Sequence, residues 1–245
     1  RENPDYLNYS YNCKGKVEYD GMVIHCSNNK AHGKVDLKKA FAKSCNTSFS
    51  SIGKELSMDG FRKLCESFFF NGELPAKIAN NPSRFELKTG SSGVKEAMQT
   101  AIGQGKTLIT PLHNAMIAAA VANDGIMMKP YVVDRIESAG GRVLKGYIPQ
   151  EAGAVMSAEE ADFLKSLMRA VVTDGTARRL NNLSVKVAGK TGTAQLEGKE
   201  SHAWFIGFAP VNEPKIAVSV LVENIGSGSD YAVPIAEKIF EAYFN

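Results

Sequence analysis

Apolar residues recur with helical spacing along much of the chain. After a polar, turn-rich segment over 1–33, Leu37, Ala40 and Phe41 fall on one face of a predicted helix. Thr110-Pro111 predicts another helix start, with threonine as the N-cap and proline at the first helical position. That helix is predicted to end near Gly125, and another should follow the capping box Ser157-Ala-Glu-Glu160. Further helices are predicted over 48–56, 61–69 and 232–243, and loops over 71–105.

Alternating or continuous apolar runs in the last third of the chain predict short strands. Ile216, Val218, Val220 and Val222 share one face of a strand over 215–223. Further strands are predicted over 183–190 and 203–209, and a hairpin over 131–137 and 142–147. Short antiparallel strands beside helices indicate an α/β fold of the α+β type, in which helices flank an antiparallel sheet, and not a doubly wound sheet.

Composition and charge exclude several classes of protein. The chain has 245 residues, of which 44% are hydrophobic and 22% charged, as is typical of a soluble globular protein. A formal net charge of +3, without a basic stripe interleaved with aromatics, does not indicate nucleic acid as a partner. The longest apolar stretches, 116–122 and 216–222, are too short to span a bilayer, and residues 1–5 lack the apolar region of a signal peptide.

The four cysteines leave two interpretations open. Cys13 and Cys26 bracket a turn-rich segment, so they could form a disulfide in an oxidising compartment or remain free thiols. Cys45 and Cys65 are expected to be buried as small apolar residues. Because neither Cys13 nor Cys26 belongs to a closely spaced pair, and the histidines show no carboxylate pattern, we expect no metal site and no Ser-His-Asp triad.

The candidate chemistry is concentrated where the alternating run 185–188 reaches Lys190-Thr191-Gly192-Thr193. Lys190 supplies a point charge for a carboxylate, and the threonine hydroxyls can donate hydrogen bonds. Gly192 would let a substrate backbone lie close to the strand and pair with its edge. The alternative is an ordinary exposed strand end.

A second Lys-Thr-Gly, at residues 88–90, provides an internal comparison. It is followed by Ser91 and Ser92 and not by alternating apolar residues, so we predict a loop without a catalytic role. A different candidate, Ser44-x-Asn46, interrupts the helical periodicity between two predicted helices. Serine and asparagine at this point could simply cap the second helix, or they could serve a reaction together with Lys190.

The chain resembles the transpeptidase domain of class B penicillin-binding proteins. The resemblance rests on Ser44-x-Asn46 and Lys190-Thr-Gly-Thr193, together with Gln104-Gly105, Thr110-Pro111 and the run from His202 to Phe205. The resemblance runs from about Cys26 to the final helix. The family uses three motifs in the order Ser-x-x-Lys, Ser-x-Asn and Lys-Thr-Gly, and the chain has the last two in that order. The resemblance implies the penicillin-binding transpeptidase and serine β-lactamase-like fold.

The resemblance also implies roles for individual residues. Ser44 would be a proton-relay hydroxyl, Asn46 would hydrogen-bond the substrate amide, and Lys190 would set the electrostatics for a terminal carboxylate. The substrate-binding residues would be Thr191, Gly192, Thr193 and Gln195, and the backbone N–H of Ala194 or Gln195 would be one oxyanion-hole donor. Gln104-Gly105 is expected to shape a nearby loop, Trp204 and Phe205 to pack in the core, and His202 to be solvated.

The first family motif, which carries the nucleophile, is not identified in this sequence. Three matches to Ser-x-x-Lys occur, at Ser27/Lys30, Ser51/Lys54 and Ser92/Lys95, but roughly one or two such matches are expected by chance. None is expected to be the nucleophile. We therefore expect residues 1–245 to be the C-terminal part of a single transpeptidase domain. The nucleophile helix, the first strands and a membrane anchor would lie upstream, either cut away or on a second chain of the same molecule.

By resemblance, the intact protein is expected to be a peptidoglycan D,D-transpeptidase that works through an acyl-serine without a cofactor and binds β-lactams. Its partners would be peptidoglycan stem peptides and proteins of a cell-wall synthesis complex, outside the bacterial cytoplasmic membrane. A serine β-lactamase, a β-lactam sensor and a non-catalytic wall scaffold remain alternatives. Hydrolysis of a penicillin separates the first from the others, and stable acylation excludes the scaffold.

Overall fold

The computed structural model describes residues 1–76, 78–87, 90 and 93–245. The second Lys-Thr-Gly and the Ser92/Lys95 match include Lys88, Thr89 and Ser92, which lie outside the described residues, so the loop expected there stays a prediction. Within the described ranges the helices are α1 (Leu37–Ala42), α2 (Asn46–Glu55), α3 (Met58–Ser67), α4 (Val94–Thr100), α5 (Pro111–Ala122), α6 (Ala158–Thr173) and α7 (Val233–Phe244).

Helix starts follow the predicted capping chemistry. The Thr110 side chain accepts a hydrogen bond from the His113 N–H at 3.2 Å, and Pro111 opens α5. At α6 the Ser157 hydroxyl accepts from the Glu160 N–H at 3.1 Å, while the Glu160 carboxylate accepts from the Ser157 N–H at 2.8 Å. These contacts confirm both predictions, because each satisfies donors that a helix N-terminus would otherwise leave unpaired.

The strands of the described chain form one three-stranded antiparallel sheet and several two-stranded pairs. The larger sheet has the order β11-β10-β9, so β9 is an edge strand. The strands are β1 (Tyr11–Cys13), β2 (Lys16–Tyr19), β3 (Met22–His25), β4 (Gly33–Val35), β5 (Ile126–Met128), β6 (Arg135–Glu137), β7 (Val143–Gly146), β8 (Glu151–Ala154), β9 (Ala188–Leu196), β10 (Lys199–Ala209) and β11 (Ile216–Val222). Helices flank this antiparallel sheet, which confirms the predicted α+β class.

The predicted strand over 183–190 was placed wrongly. The strand is β9, which begins at Ala188 and continues through the whole Lys190-Thr-Gly-Thr193 segment to Leu196. Val187 is buried and Val185 packs against the same core, but neither pairs in the ladder. Apolar alternation therefore predicted correctly that Val185 and Val187 pack in the core. The extent of the strand depends instead on its pairing with β10.

Other sequence predictions missed short elements. Residues 1–33 contain β1 to β3 and the start of β4, and the loop predicted over 71–105 contains α4. The hairpin predicted from 131–147 is shorter, with only β6 and β7 paired. Elements of three to seven residues contain too few positions for a period to appear in the sequence.

Two apolar clusters hold helices against the larger sheet. In one, Phe205 of β10 lies buried with Val172 of α6 and Phe240 of α7. In the other, Phe208 of β10 packs with Met116 of α5. The two clusters pack against β10 from both faces of the sheet and hold it in place. The edge of β9 that faces away from β10 lies outside both clusters. None of the helices in the described ranges has the length and apolar character that spanning a bilayer requires.

Candidate active site

The fold brings together the two motifs that the sequence analysis singled out. The Lys190 Nζ atom of β9 lies 2.5 Å from the Ser44 Oγ atom, although the two residues are 146 positions apart. Ser44 occupies the corner between α1 and α2, as predicted. A lysine ammonium and a serine hydroxyl in direct contact form a unit that can bind an anion and pass a proton.

Ser44 is held in a backbone conformation that serine rarely adopts. Its φ angle is +50°, and it follows the end of α1 as the C′ residue of a Schellman motif. The Ser44 N–H donates to the Phe41 carbonyl at 3.1 Å, and the Cys45 N–H donates to the Ala40 carbonyl at 2.9 Å. Glycine is the usual residue at this position because a side chain there costs about 1–2 kcal/mol. The strain indicates that the hydroxyl of Ser44 has a use that glycine could not provide.

Asn46 is the first residue of α2 and is fixed by a contact with the neighbouring hairpin. Its Nδ2 atom donates to the carbonyl oxygen of His25, the last residue of β3, at 2.9 Å. The amide nitrogen of Asn46 is therefore bound to the backbone, and this bond sets the orientation of the whole side chain beside Ser44.

The Lys190 ammonium is half-buried, and none of the described residues gives it a balancing anion. Burial lowers the pKa of Lys190 from its ordinary value of 10.5 to about 8. Its Nζ atom also donates to the Thr191 carbonyl at 2.9 Å and lies 5.6 Å from the centre of the Phe41 ring. Among the described residues it has no carboxylate partner. A site with a partly desolvated, unpaired cation favours binding of a carboxylate.

The two threonine hydroxyls on β9 lie on one face of the strand, and each has a protein partner. Thr191 Oγ1 lies 2.6 Å from Thr176 Oγ1, just beyond α6. Thr193 Oγ1 accepts a hydrogen bond from the Gly228 N–H at 3.3 Å. These contacts fix the side-chain rotamers, and a hydroxyl held in this way can still accept or donate a second bond to a ligand.

Close backbone approach explains two glycines beside the motif. A Cβ atom on Gly228 would lie 2.4 Å from the Gly192 carbonyl oxygen, which is inside van der Waals contact. A Cβ atom on Gly192 would lie 3.1 Å from the Trp204 Cβ atom across the ladder. The turn at Gly228 therefore requires glycine at 228, while the predicted role of Gly192 in letting a substrate backbone lie close stays a prediction.

Gln104 contacts the outer edge of β9, where the sequence analysis expected only a nearby loop. Its Nε2 atom donates to the Thr193 carbonyl at 3.0 Å, and its Oε1 atom accepts from the Gln195 N–H at 3.3 Å. One side-chain amide thus pairs with the strand as a peptide group would. No local signal in the sequence links residues 89 and 91 positions apart, so this role was missed.

The hydrogen bonds of Gln104 also show which backbone groups of β9 face away from β10. Consecutive residues of a strand present their backbone groups to opposite sides. Since Thr193 and Gln195 face the outer edge, the N–H of Ala194 faces β10, where Ala194 pairs with His202. The prediction that Ala194 could supply an oxyanion donor is therefore wrong, and the outward Gln195 N–H is engaged by Gln104.

The Gln104 contact yields a prediction about exchange at the strand edge. Replacing Gln104 with alanine removes the acceptor of the Gln195 N–H, and we expect that amide to exchange with deuterium about tenfold faster. Gln104→Glu keeps the acceptor and should retain protection. Gln99→Ala, which changes an exposed glutamine of α4, is the control. Unchanged exchange at Gln195 in Gln104→Ala would show that the contact does not protect this edge.

Three residues of β10 that the sequence analysis singled out have different environments. Phe205 is fully buried, which confirms its predicted core position. Trp204 is only half-buried beside Gly192, so its assignment to the core was wrong; alternation places it on the face opposite Phe205. His202 is also half-buried, and its Nδ1 atom accepts from the Asn224 N–H at 3.1 Å, so it anchors a loop and is not simply solvated.

The two described Ser-x-x-Lys matches, at Ser27 and Ser51, lie in other surroundings. Ser27 is exposed in a short 3₁₀ turn, and the Ser51 hydroxyl inside α2 donates to the Thr47 carbonyl at 2.8 Å. Neither makes a hydrogen bond to Ser44 or Lys190. That neither serine is the nucleophile stays a prediction.

The cysteines of the first part of the chain converge. Cys13, Cys26 and Cys45 are free thiols, and their sulfur atoms and a ring nitrogen of His32 all lie within 4.8 Å of one another. The sequence argument against a metal site considered only closely spaced pairs, whereas these residues come from separate elements. Cys65 lies outside this group and is half-buried, where a fully buried residue was expected.

The chain matches the family described as "Penicillin binding protein transpeptidase domain" over residues 6–241. It is 33% identical over 220 residues to the peptidoglycan D,D-transpeptidase PbpA of Mycolicibacterium smegmatis, covering 85% of this chain and 44% of the relative. The chain therefore spans less than half the length of that relative.

Solved structures give the same picture. The ceftriaxone acyl-enzyme complex of penicillin-binding protein A from Mycobacterium tuberculosis superposes with a TM-score of 0.88 at 28% identity, covering 97% of this chain and 56% of that one. A chain from a peptidoglycan synthase complex that coordinates polymerization and crosslinking superposes with a TM-score of 0.80 at 25% identity, covering 96% of this chain and 42% of that one.

Proposed function

The chain belongs to the transpeptidase-domain family of class B penicillin-binding proteins, and from this premise we propose that the whole protein is a peptidoglycan D,D-transpeptidase. Residues 1–245 would be the C-terminal part of a single transpeptidase domain. The nucleophilic serine would come from a segment outside this sequence. The contact between Lys190 and Ser44 is the observation that carries the proposal, because it joins an anion-binding charge to a proton-relay hydroxyl.

In the proposed reaction the serine oxygen attacks the carbonyl carbon of a D-Ala–D-Ala amide and loses its proton. The C–N bond then breaks, the leaving nitrogen takes a proton through the Ser44 hydroxyl, and D-Ala departs as an amine. The acyl-serine ester is next attacked by an amine of a neighbouring stem peptide. That amine loses a proton, and the serine oxygen regains one as the new amide forms.

The arrangement of β9 suits this substrate. The terminal carboxylate would lie against Lys190, with the hydroxyls of Thr191 and Thr193 as further donors. The outward N–H of Thr193 is our candidate for one oxyanion donor, since the adjacent Ala194 N–H faces β10. A substrate backbone that pairs with β9 would compete with Gln104 for the Thr193 carbonyl and the Gln195 N–H.

Partners and location follow from the same proposal. The M. tuberculosis relative forms a ceftriaxone acyl-enzyme, and another structural relative is part of a peptidoglycan synthase complex. We expect the whole protein to bind β-lactams and peptidoglycan stem peptides, and to work with cell-wall synthesis proteins in the bacterial envelope. A membrane anchor upstream of this sequence would hold the site outside the cytoplasmic membrane.

The lowered pKa of Lys190 predicts a pH dependence. If the ammonium recruits the carboxylate, the second-order rate constant for acylation by a penicillin should fall above about pH 8, by about tenfold for each pH unit. The unfolded lysine keeps its proton up to pH 10.5, so the contribution of Lys190 to stability should rise over the same range. Stopped-flow acylation and denaturant unfolding would measure the two trends.

If the acylation rate constant falls while the free energy of unfolding rises, the loss of activity comes from the lost ammonium charge and not from unfolding. Lys190→Arg, whose charge persists to high pH, should acylate more slowly but without the decline above pH 8. If the wild-type rate instead rises through pH 8, Lys190 acts as a base, and the proposed role of its charge is wrong.

The function itself is tested on the whole protein with a fluorescent penicillin and with synthetic stem peptides. A stable adduct on an upstream serine, together with cross-linked peptide product, is the expected result. Rapid release of hydrolysed penicillin would instead identify a β-lactamase. A stable adduct without cross-linking would point to a sensor, and no adduct to a scaffold.

A further inference from the structure

A cleft lined by cations lies between α1 and the end of α6, next to the corner that carries Ser44. It has a volume of about 340 Å³, which is within the usual range for sites that bind small ligands. Its charged lining residues are the cations Lys38, Lys39, Lys43 and Arg178 and the carboxylates Asp36 and Asp174. We call it the cationic cleft. The reaction steps proposed for Ser44 and Lys190 do not involve these residues.

Both carboxylates of the cationic cleft already have partners. The Asp36 carboxylate is the N-cap of α1 and accepts a hydrogen bond from the Lys39 N–H at 2.7 Å. The Asp174 carboxylate accepts from the Thr173 hydroxyl at 2.6 Å. None of the ion pairs in the described part of the chain involves a cation of the cleft. The cleft therefore has an excess of positive charge, which attracts an anionic ligand.

Lys43 is half-buried, whereas the other three cations of the cleft are exposed. Its Nζ atom donates to the carbonyl oxygen of Asp174, the C-cap residue of α6, so the ammonium is held in place. Burial lowers the pKa of Lys43, and the nearby charge of Arg178 lowers it further. Lys30 and Lys39 act in the same direction, while Asp174 opposes them. Like charges are thus crowded around a fixed ammonium, and a bound carboxylate would offset their repulsion.

The turn over 174–176 joins the cationic cleft to β9. The Thr176 N–H donates to the carbonyl oxygen of Ala42, a lining residue of the cleft at the end of α1, at 3.3 Å. The Thr176 Oγ1 atom in turn lies 2.6 Å from Thr191 Oγ1 on β9. The cleft therefore borders the candidate active site at the end of the motif that carries Lys190 and Thr191.

Under the proposed function, this end of the site is where the leaving group lies. The terminal carboxylate of the donor peptide is assigned to Lys190 and Thr191, so the departing D-Ala occupies the side nearest the cleft. Transfer is the reverse of acylation, and the acceptor nitrogen must therefore enter where the D-Ala nitrogen left. That nitrogen forms the new C–N bond at the acyl carbon while the ester C–O bond breaks, and its proton passes to the serine oxygen.

We propose that the cationic cleft binds a carboxylate of the acceptor stem peptide and so directs its amine to the acyl-serine, a role that rests on the proposed function. Every stem peptide that ends in D-Ala carries a free terminal carboxylate, so the acceptor brings an anion to this side of the site. The Arg178 guanidinium can bind a carboxylate through two parallel hydrogen bonds, with Lys39 and Lys43 as point charges beside it. A cleft lined mainly by one sign of charge also raises the local concentration of such a ligand.

The division of the acyl-enzyme between transfer and hydrolysis is the direct test. The whole protein, acylated by a thioester analogue of the donor peptide, is given a synthetic acceptor peptide with a free terminal carboxylate, and both products are measured by mass spectrometry. In the double variant Lys39→Gln with Arg178→Gln, the acceptor concentration for half-maximal transfer should rise by about tenfold or more. Lys215→Gln, which removes an exposed cation between β10 and β11, is the matched control and should keep the wild-type value.

An acceptor peptide whose terminal carboxylate is capped as an amide tests the same contact from the ligand side and needs no variant. The wild type should use it about as poorly as the double variant uses the free acid, and the double variant should use the amide no worse than the wild type does. Equal losses for acid and amide in the double variant, or no loss for either, would overturn the proposal. So would tighter binding of anionic phospholipid vesicles than of the acid peptide, since the cleft would then face a membrane surface.

Equilibrium binding separates the cleft from the proposed reaction. The labelled acid peptide is titrated into protein whose nucleophile has been blocked with a penicillin, and its affinity should fall by about tenfold or more in the double variant. Unchanged affinity would contradict the proposal. If the protein forms neither a penicillin adduct nor cross-linked product, the proposed function fails. Peptide binding to the untreated protein that is lost in the double variant would then keep the carboxylate site and refute only its role toward the acceptor.

Discussion

Replacing Lys190 with glutamine is expected to slow acylation of the whole protein by a penicillin about 10²- to 10³-fold, the usual loss when one preorganised electrostatic contact is removed. The ammonium is half-buried, lies 2.5 Å from the Ser44 hydroxyl and has no carboxylate partner in the described ranges. Glutamine keeps a hydrogen-bond donor, one bond closer to the backbone, but removes the charge. The rate constant follows from fluorescent-penicillin labelling over time.

Stability should not fall with activity in this variant. Lys190→Gln removes a half-buried charge that has no carboxylate partner among the described residues, so the free energy of unfolding should stay the same or increase. Lys186→Gln, four residues earlier and exposed, is the matched control and should leave acylation within a factor of two. Near wild-type labelling of Lys190→Gln would remove Lys190 from the site.

The second large effect is expected at Ser44, where glycine and alanine should behave differently. Ser44→Gly relieves the left-handed strain and should stabilise the fold by about 0.5–1 kcal/mol, after the entropy cost of glycine is subtracted. It should also slow acylation about 10²- to 10⁴-fold, because the proton-relay hydroxyl is gone. Ser44→Ala should lose as much activity without the gain in stability.

Melting temperature and labelling rate, measured on the same preparations, decide this prediction. Glu213→Gly changes another residue with positive φ, in the exposed loop between β10 and β11, and should raise stability without altering acylation. If Ser44→Gly is both more stable and fully active, the strain at Ser44 has no catalytic purpose.

The sequence predicted the chemistry of the site better than its geometry. Lys190 and Ser44 were chosen because each stands in an unusual local pattern, a charge and glycine within a strand and a polar pair between helices. Their direct contact was implied only by resemblance, because periodicity carries no information about which elements meet. The start of β9 was misplaced for the same reason, since pairing depends on β10.

Two features lay beyond any local pattern. Gln104 reaches the edge of β9 from a distant loop, and a lone glutamine before glycine does not predict such a contact. Cys13 and Cys26 were recognised as a pair, but the third sulfur came from the catalytic turn and the nitrogen from His32. Long-range convergence of this kind depends on the packing of several short elements, each too weak to be recognised alone.

The 146-residue separation of Ser44 and Lys190 has a consequence for biosynthesis. A ribosome must release β9 before the relay hydroxyl can meet its cation, so an incomplete nascent chain cannot be chemically competent. Contacts between distant parts of a chain also form late and slowly during folding. Penicillin labelling would therefore report that the domain has matured, and it could serve in cells as a conformational quality signal independent of protein abundance.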